Sequence, residues 1–152
     1  MGARTREMTR TPLQMAAFLI GLVFLALGIL GFIPGITTDY GSMGWAGYRS
    51  TAFLFGVFQV SVLHNFIHLL FGVAGVTLAR TWAGARAYLV WGGVLALLWW
   101  IYGLIIDQNS PVNAIPVNTA DNWLHFFLGI VMIALGATLS RRTPSSRRTF
   151  SV

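Results

Sequence analysis

The chain has 152 residues, of which 56% are hydrophobic and only 9% are charged, and it contains no cysteine. About a quarter of the residues in a soluble domain are charged, so this composition excludes an ordinary soluble domain. A mean hydropathy of +0.71 excludes a disordered tail, and the lack of cysteine excludes a disulfide-stapled secreted module. The composition therefore predicts an integral membrane protein.

The net charge of +6 comes from ten basic residues, all arginines, which lie between or outside the apolar stretches. The sequence has no basic stripe interleaved with aromatic residues and no nucleic-acid-binding motif, so nucleic acid is not an expected partner. With the N-terminus inside the cell, nine arginines fall on the cytoplasmic side and only Arg49 falls outside. Because short cytoplasmic loops carry the arginine excess, we expect a multi-pass protein of the cytoplasmic (inner) membrane with both termini cytoplasmic.

The first predicted span covers residues 12–33, which is long enough to cross a bilayer core of about 20 helical residues. Thr11 and Gln14 have the spacing of a capping box, and the proline between them suits the first position of a helix. The sequence therefore predicts that this helix begins directly after Thr11.

The second predicted span covers residues 62–79 and follows a long apolar stretch. One helix over that whole stretch is too long for a single untilted span. We therefore expect a helix N-cap near Ser61, and we predict that residues 51–60 form an interfacial or re-entrant segment.

Two further spans are predicted at residues 87–106 and 119–139. Together the spans define a four-span membrane domain over residues 12–140. A cytoplasmic flank precedes it at residues 1–11, and a basic cytoplasmic tail follows at residues 141–152. The predicted fold is an all-α integral membrane four-helix bundle.

An internal repeat relates the second and fourth spans. The pattern N-x-x-H-x-x-x-G occurs at 65–72 and again at 122–129, an offset of 57 positions. The same offset matches His64 with Asp121. Because two spans separate the copies, the sequence predicts two tandem helical hairpins with the motif histidines at equal depth.

Helical spacing predicts where the two motif histidines point. His68 shares a helix face with Gly72, and His125 shares a face with Gly129. Small residues mark the places where membrane helices approach each other, so we expect both histidines to face the bundle interior.

Besides a proton or small-ligand role, three roles for the histidines are open on the sequence alone. As structural groups, they tie the helices together by hydrogen bonds, with Asn65 and Asn122 as a structural polar pair. As haem ligands, His68 and His125 supply both axial nitrogens to haem b, and Gly72 next to His68 makes room for the macrocycle.

In the same haem arrangement, Gly129 makes room beside His125, although both glycines suit close helix contact equally well. The third role is a divalent metal site. Its candidate ligands are His64, His68, Asp121 and His125.

Catalysis is not expected. The sequence has no cysteine nucleophile, no serine–histidine–acid arrangement at plausible spacing and no pair of buried carboxylates. Beyond the lipid bilayer, the expected partners are further copies of the chain or a larger membrane complex, because glycines on several helix faces offer contact surface.

The residues around the repeat carry a resemblance to a known family. The stretches Leu63–Gly72 (LHNFIHLLFG) and Asn118–His125 (NTADNWLH) resemble signatures of a family of small four-span actinobacterial membrane proteins, known only as a domain of unknown function. The resemblance implies a four-helix membrane domain and brings no activity, cofactor or catalytic residue.

The sequence predicts a non-enzymatic membrane protein that acts as a structural or accessory component, with the His/Asn pairs on its outward side. The alternative is a haem- or metal-binding membrane protein that uses His68 and His125 for electron transfer or metal handling.

Overall fold

The computed structural model describes residues 10–140, and this part of the chain is mostly helical. Residues 1–9 of the predicted flank and the predicted tail at 141–152 lie outside the described residues. In chain order the elements are α1 Pro12–Leu30, β1 Thr37–Thr38, β2 Ala52–Leu54, β3 Phe58–Val60, α2 Val62–Leu78, α3 Trp82–Ile105 and α4 Thr119–Leu139. The predicted four-helix fold is confirmed.

The predicted helix starts at Thr11 and Ser61 are confirmed by capping hydrogen bonds. The backbone N–H of Gln14 donates to Thr11 Oγ1 at 3.3 Å, and the backbone N–H of Thr11 donates back to Gln14 Oε1 at 3.1 Å. The backbone N–H of His64 donates to Ser61 Oγ at 3.1 Å. These side chains satisfy N–H groups that have no partner within the helix, so they fix where α1 and α2 begin.

Helix α3 begins at Trp82, five residues before the span predicted at 87–106. Thr81 caps this end, because its Oγ1 accepts from the backbone N–H of Gly84 at 3.0 Å. Arg86 lies exposed on the first turns of the helix. Hydropathy locates the apolar part of a span, whereas the cap locates the helix end, and here the helix extends past the apolar part.

Residues 51–60, predicted as an interfacial or re-entrant segment, contain the β-hairpin of β2 and β3. Leu54 pairs with Phe58, so the three residues Phe55, Gly56 and Val57 connect the strands, and Phe55 and Gly56 have positive φ of 54° and 71°. Strand β1 adds to the other edge of β2, which gives an antiparallel sheet in the order β1-β2-β3. The depth of this sheet in a membrane stays a prediction.

The sheet covers one end of the helices. Its buried side chains Ala52, Leu54 and Val60 pack with Leu27 and Leu30 near the end of α1. Strand β3 and the turn before it also bond the start of α4 and its cap. The backbone N–H of Gln59 in β3 donates to Asp121 Oδ2 at 3.0 Å, and Nδ2 of the cap residue Asn118 donates to the carbonyl of Val57 in the turn at 2.8 Å. Side chains at the start of α4 therefore use main-chain groups that the edge of the β-hairpin would otherwise leave free.

The helices pack as two hairpins, α1 with α2 and α3 with α4, and contact within each hairpin is far more extensive than contact between the two. Close approach within each hairpin depends on glycine. A Cβ added at Gly72 would lie 2.8 Å from the carbonyl oxygen of Gly21, and one added at Gly129 would lie 2.9 Å from that of Gly93. A side chain at any of these positions would push the paired helices apart.

Three of the helices are long and apolar enough to cross a membrane: α1, α3 and α4, with 19, 24 and 21 residues. Within their most apolar windows only 28%, 33% and 22% of residues are buried, so most apolar side chains face outward. Helix α2 has 17 residues, about 26 Å of helix, which is shorter than a bilayer core of about 30 Å. The outer surface is thus compatible with a lipid environment.

Candidate metal centre

Two histidines of the candidate site lie on one face of α2. His64 is in the first turn, directly after the Ser61 cap, and His68 lies one turn further along. The β-hairpin of β2 and β3 and the Ser61 cap together fix where α2 begins. They therefore also fix the depth of the His64 and His68 side chains in the bundle. His64 is 2% exposed and His68 is 8% exposed, which confirms that this helix face points inward.

The third histidine approaches from the other hairpin. His125 is in the second turn of α4 and is partly buried. One ligand nitrogen from each of His64, His68 and His125 lies within 4.8 Å of the other two. The His64 ring centroid is 4.5 Å from that of His68 and 6.3 Å from that of His125. Helices α2 and α4 thus bring three imidazoles to one point between the hairpins.

Hydrogen bonding sets the orientation of His125. Its Nδ1 lies 2.7 Å from the carbonyl oxygen of Asp121, so Nδ1 carries the proton and donates it to that oxygen. The lone pair of this neutral ring is then on Nε2. Metal-bound histidines in proteins commonly donate their second nitrogen to a backbone carbonyl in this way.

The two α2 histidines keep free nitrogens. Within the described residues, His64 Nδ1 and His68 Nδ1 are buried and have no hydrogen-bond partner. A buried polar atom without a partner costs about 1–3 kcal/mol. The packing within residues 10–140 therefore leaves one nitrogen of each of these rings unused.

Asp121, predicted as a fourth metal ligand, is buried but does not join the histidine cluster. Its Oδ2 accepts from the backbone N–H groups of Gln59 and Asn118, both at 3.0 Å. The carboxylate therefore caps α4 and anchors β3, while its backbone carbonyl orients His125. Sequence spacing correctly puts Asp121 one turn from His125 and three residues after Asn118, but it does not reveal the bond to Gln59.

Gly72 and Gly129, predicted to clear space for a haem, face neighbouring helices. A Cβ on Gly72 would lie 2.6 Å from the backbone nitrogen of Leu25, and one on Gly129 would lie 2.7 Å from a methyl group of Leu97. Neither glycine lines the cavity beside the histidines. Of the two uses that the sequence leaves open, close helix contact is the one that this packing fits.

The asparagine pair, Asn65 and Asn122, also contacts glycine. The Asn65 side chain fills the space where a Cβ on Gly31 would lie, and Asn122 does the same at Gly103. Within residues 10–140, both Oδ1 atoms are buried without a conventional hydrogen-bond partner. The recurring geometry directs a glycine Cα–H at each amide oxygen, a weak contact that is worth about 0.5–1 kcal/mol. The pair therefore lies within the hairpins and does not bond the histidines.

A cavity of about 230 Å³ adjoins the histidine cluster. Apart from the three histidines, its lining is apolar or aromatic and comes from all three of α1, α2 and α3 together with the segment before α4: Phe24, Ile67, Phe71, Gly92, Leu95, Ala96, Trp99 and Ile115. Pockets for larger organic ligands measure about 300–1,000 Å³. The cavity is thus smaller than the usual pocket for such a ligand.

The cavity residues of α1 and α3 are not among the sequence candidates, although a sequence signal for them exists. Helices α1 and α3 share the pattern G-x-x-x-L-x-x-x-I-x-G at an offset of 72 positions, which differs from the 57-position offset between α2 and α4. The pattern is formed by Gly21, Leu25, Ile29 and Gly31 in α1 and by Gly93, Leu97, Ile101 and Gly103 in α3. Phe24 and Ala96 correspond in this alignment, and both line the cavity.

The fold and the site define a class: a helical bundle with an apolar outer surface and a buried histidine cluster between its two hairpins. The chain belongs to the family described as "Domain of unknown function (DUF4383)", whose model matches residues 14–138. The predicted family resemblance is thereby confirmed. Comparison with curated proteins and with solved structures gave no match.

Proposed function

We propose that this protein is a four-span protein of the cytoplasmic membrane that binds one divalent transition-metal ion between its two hairpins. Metal handling, without covalent catalysis, is then its biochemical role. The observation that carries the proposal is the convergence of ligand nitrogens from His64, His68 and His125 within 4.8 Å. Three imidazoles suit zinc or copper, for which nitrogen is a preferred ligand.

The distances are close to what such an ion needs. Metal–nitrogen bonds of about 2.0–2.1 Å put the nitrogens of a tetrahedral site roughly 3.4 Å apart. The widest separation in the cluster is therefore within about 1.5 Å of a bound geometry. Rotation of the imidazole rings about their side-chain bonds supplies a movement of this size.

The charge balance also supports the proposal. A divalent cation inside a bundle is costly unless a negative group lies nearby. Of the three acidic residues in the described part of the chain, only Asp121 is buried, and it lies one turn before His125 on α4. In this account the carboxylate offsets part of the metal charge without coordinating the metal.

The membrane arrangement completes the proposal. With four spans and cytoplasmic termini, the sheet and the histidine cluster lie towards the outer face, and the short α2–α3 connection at residues 79–81 lies inside. Helix α2 has only 17 residues, but its N-terminus directly follows β3. In this arrangement the sheet covers the part of the membrane thickness that the helix does not reach. The equivalent glycine and asparagine contacts of the two hairpins support a duplicated origin for them.

A structural or accessory role within a larger membrane complex is the second candidate. It is favoured by the glycine and asparagine contacts, which stabilise the hairpins without any ligand. Under this role the histidines need no metal.

Metal analysis separates the two candidates. The protein is expressed with zinc or copper supplied, purified in mild detergent and compared with the double variant His68→Ala, His125→Ala. We expect close to one metal per wild-type chain and at least a tenfold lower content in the variant. The matched control is Asn65→Ala, which removes a buried polar side chain of α2 outside the cluster and should keep the metal. A metal-free wild-type protein under these conditions contradicts the proposal.

A further inference from the structure

The apolar cavity lies on the open side of the histidine cluster. Within the described residues, the group of potential metal ligands contains three histidines and no fourth side chain. Three protein ligands leave a metal such as zinc or copper with an open coordination position, whereas purely structural sites are usually closed by four. The lining of the adjoining cavity includes Phe71, Ala96 and Trp99, which have no group able to coordinate a metal.

The cavity also reaches the apolar outer surface. Ile67 on α2 and Leu95 on α3 line it, and both are exposed on the outside of the bundle, at 36% and 57%. They belong to different hairpins, and contact between α2 and α3 is sparse compared with contact inside each hairpin. A small molecule dissolved in the lipid phase therefore has an apolar path to the cluster between these helices.

We infer that the metal of the proposed site binds a small exogenous ligand in this cavity, a weakly polar molecule of a few heavy atoms with one donor atom. The inference rests on the proposed metal site. Size supports it, because a dry apolar cavity of about 150 Å³ already binds benzene or xenon, and this one has about 230 Å³. The apolar walls disfavour a strongly hydrated ligand, because entry would remove its water without replacing the hydrogen bonds.

Carbon monoxide titration of the copper(I)-loaded protein tests the inference. Carbon monoxide is a neutral, weakly polar donor whose bond to copper(I) gives an infrared C–O stretching band, and the band reports coordination directly. The wild-type protein should show a saturable band at one carbon monoxide per copper. Ala96→Phe adds a ring to the cavity lining and leaves the three histidines unchanged, so it should keep its copper and bind carbon monoxide at least tenfold more weakly.

A second, milder variant guards against misfolding of the first. A Cβ at Gly92 would lie 2.7 Å from Phe71 Cζ and 2.8 Å from Met132 Cε, both at the ends of side chains. Gly92→Ala should therefore reduce the cavity with less disturbance and weaken carbon monoxide binding by a smaller factor. Carbon monoxide affinity that is the same in the wild type and in both copper-loaded variants overturns the inference.

The failures of the two proposals are distinguishable. Copper bound at one per chain with no carbon monoxide band overturns the exogenous ligand and leaves the metal site standing. Failure of the wild-type protein to bind copper, zinc or cobalt overturns the metal site, and the exogenous ligand with it.

Discussion

The buried polar atoms of the histidine cluster are the residue-scale basis of the proposed metal site. His125 has one nitrogen committed to the Asp121 carbonyl at 2.7 Å, while His64 Nδ1 and His68 Nδ1 have no partner in the described part of the chain. Each unsatisfied atom costs about 1–3 kcal/mol. A metal ion bound through these nitrogens would remove that cost, so the proposal couples metal binding to stability.

At the residue scale, sequence reasoning predicted part of the cluster. Helical spacing and the repeat were enough to single out His68 and His125 and their inward direction. The same spacing suggested Asp121 as a ligand, but its carboxylate is used by the backbone of Gln59 and Asn118. Asn118 precedes Asp121 by three residues, the spacing of a capping box, but Gln59 comes from the β-hairpin, and helix periodicity carries no information on that contact.

The role of Asp121 can be checked by substitution. Asp121→Ala removes the acceptor for two backbone N–H groups but keeps the main-chain carbonyl that orients His125. We expect a loss of about 1–3 kcal/mol in the free energy of unfolding, seen as a lower melting temperature in detergent, with metal content kept above half of wild type. His64→Ala, the comparison variant, should lose the metal. Loss of metal from Asp121→Ala equal to that from His64→Ala, in folded protein, would make Asp121 a ligand after all.

At the scale of elements, caps and close contacts decide more than hydropathy does. The Thr11 and Ser61 caps were predicted because capping side chains leave a local sequence signature. The start of α3 was not predicted, because the apolar stretch begins only after Arg86, whereas the helix already begins after its Thr81 cap. The β-hairpin in residues 51–60 was also not predicted from the sequence. Its continuous apolar sequence lacks the polar alternation of a half-exposed strand, and its turn places Phe55 at a positive φ that the residue type disfavours.

The glycine contacts give a prediction at the same scale. Alanine is intrinsically better than glycine in a helix by up to about 1 kcal/mol. At Gly72, however, the new methyl group would lie 2.6 Å from a backbone atom of Leu25, which cannot move without shifting α1. We therefore expect Gly72→Ala to be destabilising by about 1–3 kcal/mol in thermal unfolding.

Gly41 provides the matched control, because a Cβ there meets no atom within 4 Å. Gly41→Ala should stay within about 0.5 kcal/mol of wild type. If Gly72→Ala is as stable as the control, the packing of α1 against α2 does not depend on the close approach of Gly72 to α1.

At the scale of the whole molecule, two tightly packed hairpins meet along a sparser interface, and the histidine cluster lies across it. The proposed metal would join α2 of one hairpin to α4 of the other. The fold class and the number of helices were predictable because long apolar stretches dominate the sequence. The cavity was not, because part of its lining comes from α1 and α3, whose correspondence has a different offset from that of α2 and α4.

The membrane topology is testable with single cysteines, because the chain has none of its own. Gly41 lies at the sheet end and Ala83 near the α2–α3 connection, and both are exposed. In intact spheroplasts, a membrane-impermeant maleimide should label Gly41→Cys and should label Ala83→Cys only after permeabilisation. Labelling of both positions in intact spheroplasts contradicts the four-span arrangement with cytoplasmic termini.

The most direct test of the central claim is X-ray absorption spectroscopy of the purified protein at the edge of its bound metal. The account predicts nitrogen ligands at about 2.0–2.1 Å and outer-shell scattering from three imidazole rings. His64→Ala should lower the imidazole contribution from three rings to two in whatever metal it retains. A spectrum with oxygen ligands and no imidazole scattering would contradict the account, because the metal would then be bound away from the histidine cluster.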